Sequence, residues 1–324
     1  VSSVPPPRSG QEPERPEPSA ASQRFIPPVS PTPAAGPAPV GGHGGGQYVY
    51  AAPDRRPSEE RTAWRPWSAP LALFGAFVVA FLGQAVILAV GSIFGMDVAD
   101  PSPAANIVAT LFQDFAFVAV AVMFARSAGR VTTAQFGLKR TPFWPAVGWT
   151  ALAGLSFYVL SGLWAALMNL SESDELPDSL GVERSTVALV AVCVLVTVVA
   201  PLAEEFLFRG YFFGALRNWK GVWPAAVITG VVFGGIHVGG TDVEFLPPLM
   251  VLGFILCVLR WKTGSLLPCI ALHAFNNAIA FGVTAADWPG WAVLLLIVGA
   301  VTSCMLICLP LLGRGTRAAA GAVT

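Results

Sequence analysis

The chain has 324 residues, of which 54% are hydrophobic and only 12% charged, with a mean hydropathy of +0.64. That composition lies far outside soluble globular usage and identifies an all-α polytopic membrane protein. The formal net charge is zero, which by itself says nothing about partners, since the placement of charge along the chain carries more information than its sum; no nucleic-acid partner is expected of a membrane protein of this kind.

Residues 1–66 are a different material. They hold 15 of the 28 prolines, together with the run Gly41-Gly42-His43-Gly44-Gly45-Gly46 and scattered Arg and Glu. Such a segment cannot bury enough apolar surface to offset its ordering entropy, and it reads as a disordered cytoplasmic tail. It lacks a charged n-region followed by an apolar h-region, so it is not expected to act as a signal peptide. Pro5-Pro6-Pro7 is a candidate ligand for a proline-binding cytoplasmic partner, set against the simpler reading of a solvated tail.

A membrane domain is expected over residues 67–313, followed by a short tail at 314–324. Crossing a bilayer takes about 20 apolar residues. Eight apolar runs qualify: roughly 69–95, 105–126, 144–169, 186–217, 223–239, 246–260, 265–283 and 288–312. In the first, Gln84 reads as a helix-to-helix hydrogen-bonding residue. The second carries Gln113 and Asp114 near mid-membrane; Asp114 has no local partner and is a candidate for a structural acid, a partner of Arg209, or a proton carrier. The ten tryptophans gather near span ends, as at Trp64, Trp67, Trp144, Trp219, Trp223, Trp288 and Trp291, where they read as interfacial anchors.

The fourth span contains Ala200-Pro201-Leu202-Ala203-Glu204-Glu205-Phe206-Leu207-Phe208-Arg209-Gly210. Each ionisable group at such a depth costs roughly 2.5–3.5 kcal/mol on insertion scales, so three within six residues require a reason. On a helix Glu205 and Arg209 are four apart and face one another, with the acid N-terminal to the base. Glu204 is rotated about 100° away, and its i+4 neighbour is Phe208. Glu204 is therefore the free carboxylate and a candidate proton acceptor; the competing reading is a structural polar network. The span is also too long for a perpendicular crossing and must tilt, kink at Pro201 or run along the surface.

The chain has three histidines. His43 lies in the glycine-rich tail. His237 follows Phe233 by four residues in the fifth span, and His273 precedes Asn277 by four in the seventh. Counted at 1.5 Å per residue, Glu204 lies about 20 Å from the boundary at Arg217 and His237 about 21 Å from Trp223. His273 comes out at about 14–16 Å from a boundary at Gly264 or Lys262. Polar groups in membrane helices face the bundle interior, so these can converge. The chemistry they permit is hydrolysis: Glu204 deprotonates a water, His237 holds that water or shuttles its proton, and His273 and Asn277 donate to the oxyanion. The same Glu204, His237 and His273 are also the His₂Glu set of a catalytic zinc site, although no H-E-x-x-H is present.

The five cysteines, Cys193, Cys257, Cys269, Cys304 and Cys308, all fall in apolar segments and suggest neither disulfides nor a metal site. Basic residues set the orientation. With the N-terminus inside, the cytoplasmic stretches hold seven tail arginines, then Arg126, Arg130, Lys139, Arg140, Arg217, Lys220, Arg260, Lys262, Arg314 and Arg317, whereas the outer loops hold only Arg184. Both termini are expected to be cytoplasmic. The outer loops are acidic, at Asp97, Asp100, Glu172, Asp174, Glu175, Asp178, Glu183, Asp242, Glu244 and Asp287.

In order along successive apolar helices, Glu204-Glu205-x-x-x-Arg209, Phe233-x-x-x-His237 and His273-x-x-x-Asn277 resemble the three motifs of the CPBP (Abi) family. That family includes the type II CAAX prenyl endopeptidases and bacterial intramembrane proteases, and the resemblance spans a catalytic core at about residues 186–283. It implies that Glu204, His237, His273 and Asn277 are catalytic, with Glu205, Arg209 and Phe233 supporting. The expected activity is hydrolysis of a peptide bond in a membrane-associated or lipidated protein or peptide by glutamate-activated water. No cofactor is favoured; zinc on Glu204, His237 and His273 is the alternative. The resemblance also admits a non-catalytic bacteriocin-immunity or scaffold role, and intramembrane acids admit a proton-coupled transporter, although no internal repeat supports alternating access. The Ala-, Pro- and Arg-rich composition points to a bacterial plasma membrane.

Overall fold

The computed structural model describes residues 62–170, 185–285 and 288–312. The expectations for residues 1–61, for the acidic loop at 171–184, for Asp287 and for the chain beyond 312 lie outside the described residues. Among those described there are helices and no strands, and eight helices form the membrane domain: α1 (Ser68–Ile93), α2 (Pro103–Ser127), α3 (Phe143–Met168), α4 (Thr186–Lys220), α5 (Val222–Gly235), α6 (Leu246–Thr263), α7 (Leu267–Ala280) and α8 (Gly290–Cys308). Six of them are long and apolar enough to cross a membrane; α5 and the α7 helix are shorter.

Local chemistry sets the boundaries. Ser102 caps α2 by accepting from the Ala105 amide at 3.3 Å, with Pro103 following where a missing N–H costs nothing. Ser185 does the same for α4 through the Val187 amide at 3.1 Å. Gly221, at φ +81°, turns the chain between α4 and α5, a conformation that favours glycine. The fifth helix ends at Gly235, four residues before the sequence expectation, because the chain turns through Ile236 and His237 into a short bridge between Val238 and Thr241. His237 is therefore on a turn and not inside a helix.

The fourth helix supplies the centre of the core. Its second half buries Leu207, Phe208, Tyr211, Phe212 and Phe213 against α1, α2 and α5. Trp64, in the stretch assigned to the tail by composition, is packed there too. Trp64 is 3% exposed, lies 5.0 Å from both the Phe136 and Tyr211 rings, and is held by Asn218, whose amide donates to the Trp64 carbonyl at 2.8 Å. Trp64 is thus a core residue, whereas Trp67, Trp144, Trp219, Trp223 and Trp291 are exposed. All five cysteines are buried and free.

α4 is not uniformly α-helical. π-helical turns at Leu195–Val199 and Phe206–Phe212 flank the short α segment Ala200–Glu205. Pro201 is the cause at the first: the Ala200 amide bonds the Leu195 carbonyl five residues back, and the next residue has no N–H to offer Val196. The two glutamates thus sit between two irregular turns, at the point where the long span must be interrupted.

Candidate active site

The Glu205–Arg209 pair forms as its spacing requires. Arg209 donates through Nη1 to Glu205 Oε1 at 2.7 Å, and both side chains are fully buried. Two further contacts hold the guanidinium. Its Nη2 donates to the Gly253 carbonyl on α6 at 3.3 Å, and its carbon lies 4.3 Å from the centre of the Phe233 ring on α5. Desolvation of such a pair is costly unless geometry and additional contacts compensate, and here three helices contribute.

Glu205 has a second task that spacing could not reveal. The same Oε1 accepts from Nδ1 of His273, on α7, at 2.9 Å. A carboxylate on Nδ1 fixes the tautomer and the ring orientation, so Nε2 is the atom His273 presents to the site. That Nε2 lies 3.8 Å from Oε2 of Glu204, an ion-pair contact too long for a hydrogen bond. Oε2 of Glu204 has no hydrogen-bond partner, and its side chain is 14% exposed. Oε2 of Glu205 is likewise without a partner, but Oε1 of Glu205 is engaged by Arg209 and His273, so Glu204 is the carboxylate with no hydrogen-bonded cation, and Nε2 of His273 faces it.

Phe233 joins the parts. It is 1% exposed, and its ring meets His273 edge-on at 5.7 Å, His237 at 5.3 Å and Phe208 at 5.3 Å. His237 is placed differently from the expectation. Its Nδ1 bonds the Phe233 carbonyl at 2.8 Å, and it is half-buried on the turn after α5, beyond ion-pair distance of Glu204. Among the described residues no three His, Cys, Asp or Glu are gathered closely enough to hold a metal ion. Glu204, His237 and His273 are not so gathered in this arrangement.

Asn277 has a contact of its own. It shares a face of α7 with His273, but its Nδ2 donates to the Val196 carbonyl at 3.0 Å, the acceptor that Pro201 leaves without a backbone donor. One of its two N–H groups is thereby committed, leaving one for an oxyanion. Asp114 is 3% exposed on α2, with Oδ2 unpartnered, and lies within electrostatic range of Glu204; the cation Arg209 is already engaged by Glu205. Sequence reasoning missed Gly253 and the Val196 carbonyl, since backbone acceptors carry no residue signature, although Pro201 in an apolar helix was a signal for the second.

Buried acids, an imidazole and an amide thus converge from α4 and α7 inside a polytopic helical membrane protein. Residues 186–279 match the model of the type II CAAX prenyl endopeptidase Rce1-like family. Two relatives are similar over part of the same chain. The UPF0177 protein YxdF of Lactococcus lactis subsp. lactis is 32% identical over 80 residues, 25% of this chain and 42% of the relative. An uncharacterized 24.3 kDa protein of Escherichia coli is 30% identical over 105 residues, 31% of this chain and 48% of the relative. The chain thus spans about half the length of the curated relatives it matches. No solved structure matches.

Proposed function

We propose that this chain is an intramembrane endopeptidase that hydrolyses a peptide bond of a membrane-associated or lipidated protein or peptide. The observation that supports it most is the pairing of a partnerless Glu204 oxygen with an imidazole tied from behind to Glu205 and Arg209. In this reading Glu204 takes a proton from water as the water oxygen adds to the scissile carbonyl carbon. The free N–H of Asn277 donates to the developing oxyanion, as does Nε2–H of His273 in its doubly protonated form, whose other N–H is held by Glu205, and Glu204 returns the proton to the amine as the C–N bond breaks. His237, half-buried at the end of α5, steers substrate or solvent at the edge of the site. The match of residues 186–279 to an endopeptidase family supports the reaction class.

The reading is tested by incubating the full chain, reconstituted in liposomes, with a tagged library of membrane-anchored peptides, with and without chelator. Cleavage that survives chelation is the expected result. No cleaved product from any peptide contradicts the peptidase reading, and cleavage lost on chelation contradicts glutamate-activated water.

A further inference from the structure

The Asn277 amide ends a hydrogen-bond chain that starts on α3. The Val196 carbonyl can only accept, so Asn277 must turn Nδ2 towards it, as it does at 3.0 Å. Its Oδ1 is then an acceptor, and Asn276 meets it with Nδ2 at 3.4 Å. The Asn276 oxygen is left facing α3, where it accepts from the Tyr158 hydroxyl at 3.2 Å. Each orientation is dictated by the one before, from a backbone carbonyl outward. The Tyr158 ring also packs edge-on against Phe275, with centroids 6.3 Å apart, so α3 and α7 are in contact at this point.

The setting makes these bonds durable. Leu155, Val159 and Leu160 beside Tyr158 are exposed apolar residues of a span long enough to cross a membrane, so the hydroxyl has an apolar medium around it. A polar group there without a partner costs more than it would in water.

We propose that Tyr158 and Asn276 are positioning residues of the site, acting through Asn277. Val196 sets which way the amide faces; Asn276 and Tyr158 fix its tilt, so that the N–H not used by Val196 is held for the oxyanion. The proposal rests on the peptidase reading and adds a third helix to the site. Neither residue touches the reacting atoms.

Tyr158→Phe removes one oxygen and keeps the ring contacts. In liposomes, cleavage of a tagged peptide by this variant falls about 10-fold in kcat with KM within about two-fold, a modest share of what a misplaced catalytic group can cost. In an Asn277→Ala background, whose residual activity is low but measurable, Tyr158→Phe has no further effect. The side-chain amide resonances of Asn277 in the ¹⁵N-labelled chain, assigned by their loss in Asn277→Ala, move in Tyr158→Phe. An unchanged kcat, an equal loss in the Asn277→Ala background, or unmoved resonances overturns the proposal. If wild-type protein cleaves nothing while the resonances still move, the peptidase reading and the catalytic role fail together, and the hydrogen-bond chain alone stands.

Discussion

One carboxylate oxygen, Oε1 of Glu205, accepts from both Arg209 and His273. The sequence could pair Glu205 with Arg209, because four residues on a helix bring side chains together. It could not pair Glu205 with His273, because that contact bridges 68 residues and depends on how α7 packs against α4. The consequence is that Glu205 and Arg209 serve orientation as well as stability. Replacing Arg209 with Ala strands a buried carboxylate and costs about 3–5 kcal/mol, read from thermal unfolding in detergent. The double variant Glu205→Leu with Arg209→Met restores most of that stability, because a well-packed apolar pair can replace a buried ion pair. It does not restore cleavage, because His273 Nδ1 has lost its acceptor. Recovery of both together would show that the pair has only a structural role.

At the scale of elements, the irregularity of α4 decides where Asn277 goes. A proline in an apolar span marked the place, but sequence gives no way to see that the deprived carbonyl belongs to Val196 or that a side chain from α7 takes it. Pro201→Ala supplies the missing N–H, and Val196 then gains a backbone donor in competition with Asn277. Cleavage is expected to fall through kcat while helix content by circular dichroism is kept; a variant with unchanged kcat would remove the proline from the account. The α5–α6 contact is as demanding. A Cβ on Gly253 would sit 2.9 Å from both the Gly230 Cα and the Phe233 Cβ, so Gly253→Ala must push the helices apart and with them the carbonyl that holds Arg209. The expected loss is about 1–3 kcal/mol in detergent unfolding. Periodicity located α5 but overran its end, since an apolar run continues through Ile236 and Val238 while the backbone turns; that is why His237 lies off the helix.

For the molecule as a whole, hydropathy made the class legible and the number of helices with it, since apolar runs of that length have few other fates. The limit of the tail was less legible: Trp64 sits in a Pro- and Arg-rich stretch, yet it fills the space between Phe136 and Tyr211. Trp64→Ala is expected to cost about 3–5 kcal/mol, the usual range for an emptied aromatic site, in the same unfolding assay. The distribution of Lys and Arg further predicts that single cysteines placed near either terminus react with a membrane-impermeant reagent only after the cytoplasmic side is opened. Labelling of intact cells at either end would reverse or break that topology. The central claim is that Glu204 is the base, and the direct measurement is cleavage of a tagged membrane peptide by Glu204→Gln protein that unfolds at the wild-type temperature. The account predicts no product from that variant; product formed at the wild-type rate would contradict it.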